Sequence, residues 1–142
     1  MEIRTEIEIE ASPSAVWTVL ADFSRYGDWN PFIPRIVGER VVGNVIEVLL
    51  CPPGGREMTV RPKLLVVEPD REIRWRGQLF SAKLFAGEHF FRLVEAGPNR
   101  TRFVHGEDFS GILVKAVTSS ITRAARGFVF MNQALKRRVE GN

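Results

Sequence analysis

The segment Ile112–Val139, ILVKAVTSSITRAARGFVFMNQALKRRV, decides how the rest of the chain is read. At 3.6 residues per turn, Leu113, Val117, Ile121, Ala124, Phe128, Met131, Leu135 and Val139 fall on one stripe about 80–100° wide, with Ser119, Arg123, Arg126, Gln133 and Arg137 opposite. The spacing predicts a helix with a single buried face. Lys136, Arg137 and Arg138 stand where cations complement the negative end of the helix dipole, and Gly141 is placed to stop it. A helix of that extent is roughly 40 Å long. So long an apolar stripe needs a broad partner, and the upstream sequence reads as strands able to supply one.

Ile3, Thr5, Ile7 and Ile9 alternate with Arg4, Glu6, Glu8 and Glu10, the period of a strand with one wet face. Ser12-Pro13 then reads as an N-cap and first helical position for a short helix that turns Val16, Trp17, Leu20 and Ala21 inward. Asp22–Tyr26 is a second short helix, and the proline- and glycine-broken stretch Gly27–Pro34, GDWNPFIP, is an aromatic loop of gate-like composition. Six strands follow, Arg35–Val41, Val45–Cys51, Arg56–Glu68, Arg71–Leu79, Leu84–Glu95 and Thr101–Phe109, joined by short turns, with Pro62 marking a bulge or an edge in the third. The predicted architecture is α+β in a single domain over residues 1–142: a seven-stranded curved antiparallel sheet around a long C-terminal helix, with two short helices after strand 1. A bent sheet cannot meet a helix along its whole width. A cavity between them is the expected seat of function.

Composition narrows the function classes. With 44% hydrophobic and 26% charged residues, the 142-residue chain has the make-up of an ordinary globular protein. Cys51 is the only cysteine, so no internal disulfide forms, and no Cys or His stands at metal-ligand spacing from it. The net charge of +3 is spread along the chain without a basic, aromatic-interleaved run, which argues against nucleic acid as a partner. Met1–Glu6 does not lead a basic segment into an apolar run and no window approaches eighteen apolar residues, so a cytoplasmic protein with no membrane span is expected. No phosphate-binding glycine loop, His-Glu-x-x-His or paired cysteines occur, and neither a cofactor nor a metal is expected. The oligomeric state is left open.

Strand alternation selects the inward residues. With Glu72, Arg74, Arg76 and Gln78 facing out, Ile73, Trp75, Gly77 and Leu79 face in; a tight turn at Pro69-Asp70 then pairs Val66 with Ile73 and Leu64 with Trp75. Met58 and Val60 share that face, as do Val48 and Leu50 on the strand before. With Arg92 outward, His89, Phe91 and Leu93 point in, and a turn at Gly97-Pro98 brings His89 beside Glu107 and Phe91 beside His105, with Phe103 and Phe109 on the same side. The wall is apolar and aromatic with three polar exceptions, His89, His105 and Glu107. A carboxylate beside an imidazole holds the ring in one tautomer and suits proton abstraction next to a ketone or loss of water from an alcohol. The same residues equally suit satisfying one another or orienting a ligand. Trp29 and Phe32 either cap the core or gate the pocket, Phe128 and Met131 reach the wall from the helix, and Asn132 lies at the edge of its stripe. Phe130 falls off the stripe, so it either packs under a neighbouring strand or forms part of an oligomer contact, and Gly127 marks close packing or a bend.

Taken together, Ile9–Trp17, Asp22-Phe23, Trp29–Phe32, Gly87–Leu93 (GEHFFRL), Thr101–Gly111 (TRFVHGEDFSG) and Gly127–Lys136 (GFVFMNQALK) resemble the polyketide cyclase/dehydrase branch of the START and birch-pollen-allergen-like superfamily, in that family's order and over nearly the whole chain. The resemblance implies a helix-grip fold. It also implies a small hydrophobic ligand, a lipid, polyketide-like or isoprenoid molecule, and the inward-facing and loop residues read above make Trp29, Phe32, Val48, Leu50, Met58, Val60, Leu64, Trp75, Leu79, His89, Phe91, Phe103, His105, Glu107, Phe128 and Met131 the candidates to hold it. Because the superfamily shares no catalytic residue set, the activity stays open between a binding module, a cofactor-independent cyclase or dehydratase using His89, His105 or Glu107, and an interaction module like the chaperone-activating relatives.

Overall fold

The computed structural model describes residues 1–79 and 81–141, with the backbone alone at Leu79. It begins with strand β1, Glu2–Ile9, whose residues alternate between exposed and covered as their sequence alternates between charge and isoleucine. Ser12 then accepts a hydrogen bond from the Ala15 N–H at 3.2 Å, and Pro13 opens helix α1, Pro13–Leu20, which buries Val16, Trp17 and Leu20. The next segment, Phe23–Asp28, is a 3-10 helix, because Gly27 and the prolines that follow leave no room for a full α turn.

Strands β2, Arg35–Val37, β3, Glu47–Leu50, and β4, Met58–Val60, form a small three-stranded sheet. Strands β5, Lys63–Glu68, β6, Glu72–Leu79, β7, Phe85–Gly97, and β8, Arg100–Ser110, join β1 in a five-stranded antiparallel sheet of order β1-β8-β7-β6-β5. Among the described residues the expected single sheet of seven strands is therefore eight strands in two sheets. Pro62 is the cause: it has no N–H to give to a ladder, so the expected strand Arg56–Glu68 divides around it into β4 and β5. A lone bridge from Val45 to Lys63 joins the sheets beside the break.

The β7–β8 hairpin has the expected register, with His89 opposite Glu107, Phe91 opposite His105 and Leu93 opposite Phe103. The β5–β6 hairpin departs from expectation at one place. Val67, not Val66, faces Ile73, and a bulge between Leu64 and Val66 then restores the expected pairing of Leu64 with Trp75.

The terminal helix is shorter than its apolar stripe. Val114–Val117 is a 3-10 turn, and helix α2 runs Thr118–Glu140, 23 residues, about 35 Å at 1.5 Å per residue. Gly141, at φ 81°, closes it in the left-handed conformation that glycine adopts without strain. The helix buries Ile121, Phe128, Met131 and Leu135 and turns Ser119, Arg123, Arg126, Gln133 and Arg137 to solvent. Phe130 is exposed at 46% rather than tucked under a strand. Close backbone contacts of α2 are with β1, β8 and α1. Its C-terminal half thus lies on one side of the larger sheet, and its N-terminal half stands off from β4 to β7.

Gly127 marks close packing. A Cβ there would collide with the Phe32 ring, which sits on the bare Cα and meets Phe128 edge-on at 5.5 Å between centroids. The loop carrying Phe32 is held in turn by Asn30, whose Oδ1 accepts from the N–H groups of Phe32 and Ile33 at 3.0 and 2.8 Å.

Candidate functional site

Where α2 stands off, a cavity of about 470 Å³ opens between it and the sheets. That volume lies in the range of small-molecule sites, and most of the surface facing it is apolar. Its helical wall is Ser120, Ile121 and Ala124 of α2 together with Leu113 and Val117 at the 3-10 turn before it; its strand walls are Leu50, Met58, Thr59, Val60, Arg61 and Pro62 on one side and Trp75, Gly77, Gln78, Phe85, Gly87, His89, Glu107 and Phe109 on the other, with Phe32 at the loop.

Of the residues expected to meet a ligand, Phe32, Leu50, Met58, Val60, Trp75, His89 and Glu107 lie on this wall. Val48, Leu64, Phe91, Phe103, His105, Phe128 and Met131 do not; each is fully buried in the packed core. They point inward as alternation requires, but into the packed core rather than the cavity. Trp29 is also off the wall: it is half-buried against Tyr26, ring centroids 5.1 Å apart, and so caps the core. The Leu79 side chain lies outside the described residues. Leu113, Val117, Ile121 and Ala124 went unassigned as wall residues although all four belong to the apolar stripe; the signal was present, and only the stand-off of the helix's first half was missing from it.

The polar centre is a chain of hydrogen bonds running from the cavity into the core. Glu107 Oε1 lies 3.0 Å from His89 Nδ1, His89 Nε2 lies 2.8 Å from His105 Nε2, and His105 Nδ1 lies 2.9 Å from Asn132 Oδ1. Asn132 Nδ2 donates to Thr5 Oγ1 at 2.8 Å, and that hydroxyl donates to the His105 backbone carbonyl at 2.8 Å. The far end fixes the protons. A carbonyl only accepts, so Thr5 must donate to it; Thr5 then accepts from the Asn132 amide, whose oxygen takes the N–H of His105 Nδ1.

Burial holds the His105 imidazole well below its usual pKa, helped by the charge of His89 and opposed by Asn132 and the Phe128 carbonyl. His105 is therefore neutral, with a lone pair on Nε2, and His89 Nε2 must carry a hydrogen. This leaves one proton shared between His89 Nδ1 and Glu107 Oε1. The pair is neutral as a whole.

Packing locks both rings. Trp75 stacks on His89 at 5.1 Å and 16°, and Phe128 stacks on His105 at 4.3 Å and 16°. Glu107 reaches its place because Gly87 has no side chain: a Cβ at Gly87 would overlap Glu107 Oε2. Among the described residues nothing donates a hydrogen bond to Oε2, and the Glu107 side chain keeps 19% of its surface exposed. An acceptor thus sits at the wall of an apolar cavity, backed by an imidazole whose tautomer is set from the core. Among the described residues no three His, Cys, Asp or Glu side chains gather closely enough to hold a metal ion.

Solved structures share this arrangement of backbone. An aromatase/cyclase from Streptomyces sp. R1128 superposes with a TM-score of 0.75 at 20% identity, over 99% of this chain and 93% of that one. A START superfamily protein from Mycobacterium smegmatis gives 0.77 at 19%, over 99% and 97%. Norcoclaurine synthase from Thalictrum flavum, solved with dopamine and hydroxybenzaldehyde, gives 0.76 at 19%, over 100% and 87%. At such identities the likeness shows the helix-grip fold alone. No curated protein matches the chain in sequence. The profile of one family matches residues 1–140, and by that match the chain belongs to the family described as polyketide cyclase / dehydrase and lipid transport.

Proposed function

We propose that this protein encloses a small, largely apolar molecule, of lipid, polyketide-like or isoprenoid character, between the first half of α2 and the strands. The observation that carries the reading is the cavity of about 470 Å³ and its mostly apolar wall. Each 100 Å² of apolar surface moved from water onto that wall contributes about 2.5 kcal/mol. Native mass spectrometry of protein purified from its own host, followed by organic extraction, tests the idea. A retained apolar compound is the expected result; protein that emerges empty and takes up no added apolar molecule would refute it.

The Glu107–His89 pair favours a second reading, cofactor-independent cyclisation or dehydration. One proton already lies between His89 Nδ1 and Glu107 Oε1, so Oε2 is the atom that takes a second proton from carbon beside a ketone. The same proton, returned to a departing hydroxyl, completes the loss of water. Loss of turnover of at least a hundredfold in Glu107→Gln supports this chemistry, and unchanged turnover removes it.

A further inference from the structure

Gly77 and Gly87 are directly opposite each other in the β6–β7 ladder, and both face the cavity. Their bareness serves two ends. At Gly87 the space is taken by Glu107 Oε2. At Gly77 it is open: the nearest atom to a Cβ built there is Pro62 Cβ at 3.8 Å, an ordinary contact. The sheet therefore offers a patch of naked backbone beside an acceptor oxygen, with the rings of Trp75, Phe85 and Phe109 among the surrounding wall residues. We propose that this patch is the seat of a flat ring bearing a neutral hydroxyl, phenolic or enolic, which lies over Gly77 and donates its hydrogen to Glu107 Oε2. The inference rests on the cavity being a ligand site and adds to it the shape and polarity of the ligand's inner end.

Charge selects among donors. Glu107 meets an incoming carboxylate with a lone pair and no proton to spare, so an anionic head is repelled. An ammonium gains little, because the proton shared with His89 already neutralises the pair. The cation on the wall, Arg61, is an exposed residue engaged with Glu47 at 3.3 Å. A neutral hydroxyl is the donor that satisfies Oε2 at least cost in desolvation.

Calorimetric titration with 2-naphthol, 2-methoxynaphthalene, 2-naphthoate and 1-decanol decides the matter. The expected order places 2-naphthol about tenfold or more tighter than 2-methoxynaphthalene, which has no hydrogen to give, and 2-naphthoate weakest of the three. Glu107→Gln should erase the preference for naphthol over its methyl ether. Gly77→Val, a residue suited to strands, should weaken 2-naphthol at least tenfold and 1-decanol far less, with the melting curve confirming a folded protein. If the three naphthalenes and decanol bind alike, or Gly77→Val leaves 2-naphthol unaffected, the subsite is refuted while the cavity reading stands. If none of the four binds, both fall.

Discussion

His105 on β8 and Asn132 on α2 are 27 residues apart in sequence, and Nδ1 of one lies 2.9 Å from Oδ1 of the other, both buried. This bond, continued by Asn132 to Thr5 on β1, ties the helix to two neighbouring strands of the larger sheet. It also sets the hydrogen that His89 turns toward His105, so the anchoring of the fold and the polarity of the cavity wall share one chain of hydrogens.

Asn132→Leu should therefore cost more than a helix substitution usually does. It leaves the His105 N–H and one Thr5 lone pair without their partner in a dry interior, at about 1–3 kcal/mol for such a loss. Urea unfolding should show a stability lower by about 2–3 kcal/mol. A loss under about 0.5 kcal/mol would mean that these hydrogen bonds do not anchor the helix.

The same burial predicts a pH dependence. Folding holds the His105 pKa well below 6.5, so below that pH the unfolded chain binds a proton that the folded chain refuses. The associated stability is fully present above about pH 7 and declines as the pH falls, by up to ~1.4 kcal/mol per pH unit, until the folded imidazole itself titrates. Glu72 acts lower. Burial alone would raise its carboxyl, but hydrogen bonds from Arg74 and Arg92 outweigh that and hold it below 4.5. Between about pH 5 and 6.5 the slope of stability against pH should be shallower in His105→Gln than in the parent by up to one proton's worth. Parallel slopes would contradict a neutral, buried His105.

Gly127→Ala reads from the sequence as a gain, since alanine is about 1 kcal/mol better than glycine within a helix. Contact with Phe32 reverses the sign. The added methyl overlaps a ring that is 2% exposed and cannot move without dragging the Asn30–Ile33 turn, a strain of about 1–3 kcal/mol. The variant should melt lower than the parent, and Phe32→Leu combined with it should recover part of the loss in a double-mutant cycle. A higher melting temperature for the single variant would show that the Phe32 loop yields freely.

What the sequence disclosed depended on whether local pattern or tertiary placement decided the outcome. Strict alternation placed His89 opposite Glu107 and Phe91 opposite His105, because the β7–β8 hairpin is long and its inward face is mostly apolar and aromatic. Alternation failed by one residue at Val66, since a bulge leaves no mark in the hydrophobic pattern when Leu64, Leu65, Val66 and Val67 are all apolar. Pro62 announced an interruption but not that the strand would divide between two sheets. The apolar stripe of α2 was legible throughout. Its division into a half that packs and a half that faces a void was not, because periodicity reports which side is covered and says nothing of the distance to the cover.

That division yields the last prediction. Ala124 and Met131 belong to the same stripe, seven positions apart, yet Ala124 faces the cavity and Met131 is fully buried in the core. Enlarging each to tryptophan should therefore have opposite consequences. At Ala124 the indole enters empty space, stability should stay within about 1 kcal/mol of the parent, and affinity for an apolar probe such as 2-methoxynaphthalene should fall at least tenfold. At Met131 the indole has no space, and overpacking should cost about 1–3 kcal/mol or more. The residue is not on the cavity wall, so any loss of binding there should follow the loss of folded protein. Urea unfolding and probe titration on both variants separate the two halves of α2, and equal destabilisation with equal loss of binding would show that the helix meets the sheet alike along its whole length.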